Sequence, residues 1–196
     1  MQIVMSFLQE EGYMHEVRAN NSNQLKDLFS IHPISLTLRR AFPHVLLMDG
    51  TYKTNTYKMP LLEIVGVTSI NINFYIAFVF MHKEKESNYT WALNCLKKIM
   101  DGCASPRVIV TDRELASMKA CNNVFPDAKQ LLCRWHIYQS ILRKCRPSIT
   151  SHQSWDLFYK AWTSLVESQA EEAYEFNLAQ IENILLEYLG ITFTLN

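Results

Sequence analysis

Two periods of apolar and polar residues alternate along this chain, and they predict its elements in order. The run Val45-Leu46-Leu47-Met48 goes straight into Asp49, Gly50 and a polar loop. Four consecutive apolar residues read as a strand over 45–49 buried on both faces, with Asp49 lifted to the edge of a sheet. Val108-Ile109-Val110-Thr111-Asp112 repeats the device, as a strand over 107–111. Between them, Leu61–Thr68 and Phe74–Met81 are rich in β-branched and aromatic residues around the turn Asn71-Ile72-Asn73. With 45–49 they make an antiparallel meander of three strands. A further strand is expected at 128–132.

Upstream, Tyr13–Arg18 and Leu25–Phe29 flank Asn20-Asn21-Ser22-Asn23 and predict a hairpin. Pro33 is expected to break it, and Ser35 to cap a short helix that Pro43 stops. Helical spacing predicts helices at 89–100, closed by Asp101-Gly102, at Glu114–Asn122, and from Cys133-Arg134-Trp135-His136 to about Cys145. In the last part, Trp155, Phe158, Tyr159, Trp162, Leu165 and Val166 form a stripe at i, i+3, i+4, i+7, i+10 and i+11. Ile181, Ile184, Leu185 and Tyr188 continue the pattern in a second long helix, before Gly190. Ile191–Asn196 has no place in it and suggests an artificial or truncated end.

The strand and helix order β-β-β-α-β-α-β-α is that of a ribonuclease H-like α/β core, with a mixed five-stranded sheet and flanking helices. The division expected is 1–43 as a hairpin and short helix leading in, 44–147 as the core, and 148–196 as the start of an all-helical insertion. In such a core the ends of the first and fourth strands lie side by side, so Asp49 and Asp112 converge. Paired carboxylates can share two divalent ions for phosphoryl transfer, and Mg²⁺ keeps several waters, so few protein ligands are needed. One aspartate after an apolar strand is most often a turn or helix cap. Two of them, on the two strands that this topology makes neighbours, reverse that reading.

Composition narrows the setting. A chain of 196 residues with 48% hydrophobic and 12% aromatic content has ample core for one domain or one domain with an appendage. No run of about 18 apolar residues predicts a membrane helix, and Met1–Leu8 lacks the basic start and cleavage site of a signal peptide. Five cysteines without a CxxC pair favour reduced thiols inside a cell. Formal charge is zero, but residues 1–150 hold 18 of the 19 Lys and Arg and 12 of the 19 Asp and Glu. A body at +6 can approach a polyanion; the last segment, at −6, is expected to be the solvated face of two helices.

The blocks that carry chemistry resemble a known family. Asp49-Gly50-Thr51-Tyr52-Lys53-Thr54-Asn55 with Met59-Pro60-Leu61-Leu62 resembles the first catalytic block of Mutator-like element (MULE) transposases and of their plant derivatives, the far-red-impaired-response proteins. Glu86–Trp91, Val110–Glu114, Val124-Phe125-Pro126 and Cys133–His136 match its later blocks in order, and Leu28–Pro33 its lead-in. The resemblance spans about residues 25–146. It implies a DDE-type transposase that cuts DNA and joins strands with Mg²⁺ or Mn²⁺, in a nuclear setting. Terminal inverted repeats and a homo-oligomer are the implied partners. Asp49 and Asp112 carry over as catalytic and metal-binding acids, and Cys133 and His136 as a C-x-x-H motif near the active site. By spacing alone these two could be half of a zinc site, but no second pair is placed to complete it.

The family's third acid follows a helical insertion, in a block this chain does not reach. Glu167 is expected to be a helix-end residue, Glu86 to open a helix, and Glu114 to point away along its own. The chain by itself is therefore expected to be inactive, and its complete parent to be an enzyme. Two other readings stay open: a domesticated, non-catalytic regulator that binds DNA, and a different ribonuclease H-like nuclease.

Overall fold

The computed structural model describes residues 2–51, 55–100, 102 and 104–189. Tyr52-Lys53-Thr54 of the first block, Asp101 of the expected helix stop and the segment 190–196 lie outside them. The chain divides into two compact units, Met1–Cys133 and Arg134–Asn196.

The first unit is built on a mixed sheet of seven strands: β1 (Met14–Ala19), β2 (Leu25–Ile31), β3 (Val45–Thr51), β4 (Leu61–Val67), β5 (Asn73–Phe80), β6 (Val108–Thr111) and β7 (Lys129–Leu132). Their spatial order is β1-β2-β5-β4-β3-β6-β7. Pairing is antiparallel from β1 through to β3, and parallel from β3 to β6 and from β6 to β7. Seven strands replace the expected five because the amino-terminal hairpin joins the sheet, with Leu28 beside Phe80 and Ile31 beside Ala77. The reason lies in β2, whose Leu28, Phe29, Ser30 and Ile31 are all buried. A strand with both faces covered cannot stand as a free edge.

Helices α1 (Gln2–Glu10), α2 (Pro33–Ala41), α3 (Glu86–Ile99) and α4 (Leu115–Val124) complete this unit. The sequence pattern missed α1. Helix α2 begins at Pro33 rather than after Ser35, with His32 as its cap: the Ile34 amide donates to His32 Nδ1 at 3.2 Å. Proline is favoured at the first helical position because its missing N–H has no partner there anyway. Helix α3 starts three residues earlier than expected, with the acid Glu86 at its positive end. The core joins Leu46, Met48, Leu62, Ile64 and Val79 of the sheet to Ala92, Leu93 and Leu96 of α3 and Ala120 and Cys121 of α4.

Two features fix the register of the sheet. β4 and β5 shift between Ile64 and Val65, a bulge that leaves both Ile76 and Ala77 buried. Beside it Gly66 pairs with Phe74, and a Cβ on Gly66 would sit 2.4 Å from the Phe74 ring. The ring occupies the place of the missing side chain.

The second unit holds α5 (Arg134–Cys145), α6 (His152–Val166) and α7 (Glu171–Leu189). Its small core is Ile149, Phe158, Leu165, Ile181 and Leu185, with Trp155 and Trp162 partly covered. The predicted stripe on α6 is real but wider than the core beneath it, so Tyr159 is left 42% exposed. Among the described residues no helix is long and apolar enough to cross a membrane.

Candidate functional site

Strand pairing lays out a row of polar positions. On one side of β3, Asp49 is the partner of Glu63 on β4. On the other, Met48 pairs with Thr111 of β6, and Thr111 with Leu132 of β7. One step further along these three strands the row reads Glu63, Asp49, Asp112 and Cys133. Neighbouring strands lie about 4.8 Å apart, and within this row the charge of Asp49 reaches Glu63. The expected strand end is corrected in one respect: β3 runs on to Thr51 against β4, and Asp49 is an end only on the β6 side.

The turn after β6 is built by its own polar groups. Thr111 Oγ1 donates to the Asp112 carbonyl at 2.8 Å, and the Glu114 amide donates to Asp112 Oδ1 at 3.2 Å. The second bond is the local side-chain turn that an aspartate makes readily. Asp112 therefore does shape a turn, and it is half-buried where Asp49 is exposed. The Cys133 amide donates to the Thr111 carbonyl at 2.6 Å, which holds the end of β7 in the row.

More acid is gathered here than the sequence pattern indicated. Glu84, in the loop between β5 and α3, places Oε1 3.5 Å from where a Cβ on Gly50 would lie, and the Tyr89 hydroxyl comes within 3.8 Å of the same point. Burial pushes the Glu84 carboxyl above its ordinary 4.5, and the charges of Glu114 and Asp112 push it further. Tyr89 is 2% exposed, and burial, then Glu84, Glu114 and Asp112, hold its phenol protonated well above the usual range. Burial and then Asp49 likewise raise Glu63. These acids face acids.

Glu114 also departs from expectation. It does not lie along its own helix but caps it, with Oε1 accepting from the Ala116 amide at 3.1 Å, and its charge reaches Glu84. The helix starts one residue later than the pattern suggested. Glu86 does open α3, where the Asn123 amide group donates to it at 3.0 Å. Glu167 is the carboxyl-terminal cap of α6 and pairs with Arg134 at 3.2 Å.

Glu63 could have been found from the meander, since a carboxylate facing Asp49 follows from the hairpin register. Glu84 had no such signal. It lies in a loop without periodicity, and only the folded chain brings it to Gly50.

The donors suit a hard cation. Carboxylate oxygens are what Mg²⁺ and Mn²⁺ take, and Asp49 and Asp112 can supply part of such a shell with water completing it. Among the described residues no three or more His, Cys, Asp or Glu are grouped to hold a metal ion. Cys133 is a free, half-buried thiol that ends the first unit. His136 belongs to α5 in the second unit, with its ring edge-on to Trp135 at 4.8 Å.

The model of the MULE transposase domain matches residues 45–140. Two Arabidopsis thaliana proteins are similar over most of the chain. "Protein FAR1-RELATED SEQUENCE 5" is 24% identical over 86% of this chain and 22% of its own length. "Protein FAR1-RELATED SEQUENCE 6" is 26% identical over 93% and 26%. The chain thus spans about a quarter of these relatives' length. Among solved structures, the magnesium-bound integrase catalytic core domain of HTLV-2 (trimeric form) covers 71% of this chain and 84% of its own. It is 14% identical with a TM-score of 0.30, a likeness too slight to carry a fold assignment.

Proposed function

We infer the function from one premise: the chain belongs to the MULE transposase family and is related to the far-red-impaired-response proteins. On this reading the strands from β3 to β7 are the ribonuclease H-like core of a DDE-type transposase, and α6 and α7 begin its helical insertion. The protein acts on DNA, in the nucleus, at terminal inverted repeats and as a homo-oligomer. Asp49 and Asp112 would hold the divalent ions, which supply a metal-activated nucleophile and charge stabilisation at phosphorus. The chain's own part is to present two carboxylates on rigid strand ends, with Cys133 beside them.

The observation that carries the reading is the register itself: β3 and β6 are parallel neighbours, paired up to the residues just before Asp49 and Asp112. Mn²⁺ binding, read by electron paramagnetic resonance on the full chain, tests it without requiring turnover. Binding that weakens in both Asp49→Asn and Asp112→Asn supports the site; binding that ignores both substitutions overturns it.

The plant relatives favour a second reading, a domesticated protein that keeps the fold for DNA binding and regulation without catalysis. A DNA duplex bearing inverted repeats separates the two. Mn²⁺-dependent cleavage by the complete parent protein, lost in both aspartate variants, belongs to the transposase. Binding by that protein with no cleavage belongs to the regulator.

A further inference from the structure

The second unit has a cleft that the carboxylate row does not use. It measures about 370 Å³ and lies between α5 and α6, lined by Arg134, Trp135, Tyr138, Tyr159, Trp162 and Thr163. That volume falls in the range of small-ligand clefts, roughly 300–1,000 Å³. Four of its six residues are aromatic, and they are not simply core. Trp135 is 60% exposed and Tyr159 42%. Tyr138 and Tyr159 pack on each other, tilted and 5.4 Å between ring centroids, and form the floor beside Trp135. His136 braces the Trp135 ring edge-on. Trp135 and Tyr159 are thus each held by a neighbouring ring and still open to solvent.

Arg134 supplies positive charge to the lining of this cleft. From Arg134 to Arg146 the chain carries Arg134, Arg143, Lys144 and Arg146 and no acid, although the unit as a whole is acidic. Arg134, at the cleft, is paired with Glu167 and exposed. Such a pair is worth about 0–1 kcal/mol, so an incoming phosphate can compete for the guanidinium.

We propose that this cleft binds single-stranded DNA, stacking unpaired bases on its exposed aromatic side chains, Trp135 and Tyr159, while Arg134 takes the neighbouring phosphate. Aromatic platforms beside cations suit this ligand because every base presents a π-face, whatever the sequence. A paired base inside a duplex hides that face. The proposal rests on DNA being the protein's partner, as inferred above, but not on the carboxylates cutting it.

The test is fluorescence anisotropy of the full chain with an oligodeoxythymidine of about ten nucleotides, and with a duplex of the same length. EDTA is present, so that metal binding at Asp49 and Asp112 plays no part. Tighter binding of the single strand is expected, with quenching of tryptophan fluorescence. Trp135→Ala and Tyr159→Ala should each weaken it about 5- to 150-fold, the scale of one lost stack. Trp135→Phe should keep most of the affinity, and duplex binding should change by less than about twofold. Both alanines replace exposed side chains, and circular dichroism checks that the variants fold. Equal affinity for both DNA forms, unchanged single-strand binding in the two alanine variants, or equal losses for strand and duplex would each overturn the proposal. A failed Mn²⁺ experiment with intact single-strand binding would strike the carboxylate reading alone.

Discussion

Asp27 and Glu84 are acids at the two ends of one construction, and the fold treats them in opposite ways. Asp27, on β2, is fully buried. Arg18 meets its Oδ2 at 2.6 Å, and the His82 amide and the Asn88 side chain donate to its Oδ1 at 2.8 and 3.0 Å. The carboxylate ties the hairpin to the loop before α3 and to α3 itself. Glu84, two residues beyond His82, is raised by burial and by two further acids, Glu114 and Asp112. One acid is surrounded by donors and a cation, as buried charges must be to persist. The other adds to a patch of like charge at the ends of β3 and β6. The first arrangement stabilises the fold; the second costs stability, and is understandable where a site needs negative charge.

The largest effect that sharpens this contrast is expected for Asp27→Ala. It leaves Arg18 half-buried without its partner and two further donors unsatisfied, and should cost about 3 kcal/mol in urea unfolding, the low end for a broken buried pair because Arg18 still touches solvent. A loss under about 1 kcal/mol would dissolve the distinction.

Glu84→Gln should move the other way, stabilising the protein by roughly half to 1 kcal/mol at neutral pH, the scale of a like-charge contact in a wet site. The sign follows from linkage. The folded carboxyl titrates above its ordinary 4.5, so the folded chain binds more protons than the unfolded one in that window. The contribution of Glu84 to wild-type stability is therefore greatest below that window and falls as pH rises through the folded value. The variant lacks this fall, so its advantage should grow with pH and then level off. A constant advantage at every pH would remove charge as the cause.

Glu63→Gln should give a smaller gain, about 0.2–1 kcal/mol, by relieving the cross-strand contact with Asp49. Thermal unfolding at pH 7 reads it, and a destabilised variant would show that the contact is not repulsive. Smallest of all, Arg134→Ala should change stability by less than about 0.5 kcal/mol, because its pair with Glu167 is exposed at both ends. A large loss there would mean that exposed and buried pairs in this protein are not as different as Asp27 suggests.

Much of this was legible in the pattern of residues. The apolar runs placed Asp49 on one strand and Asp112 just past the end of another, and the order of elements made those strands neighbours. The hairpin's pairing partner was not legible, because its apolar residues do not say which edge they join. Pro33 does follow the end of β2, but it also opens α2, so the cap falls at His32 rather than Ser35; a proline can end a strand and start a helix at once. Glu84 and Asp27 lay beyond reach for a shared reason. Arg18 faces Asp27 across the hairpin only nine residues away, but the other donors to Asp27, His82 and Asn88, and the acids that meet Glu84 lie about 30 to 60 residues off, and local periodicity carries no information about such pairs.

The Phe74 ring over Gly66 has a consequence for how this protein tolerates change in length. Sliding β4 against β5 by one position would bring Val65 or Val67 under the ring, where there is no room for a side chain. A one-residue slip also sends every side chain of a strand to the opposite face. Insertions and deletions are therefore absorbable in the turns at Asn20–Gln24 and Thr68–Ile72, but not within β4, where one added residue would carry Glu63 off the face that Asp49 occupies. Gly66 serves the site from a distance, as the notch that keeps the acids in line.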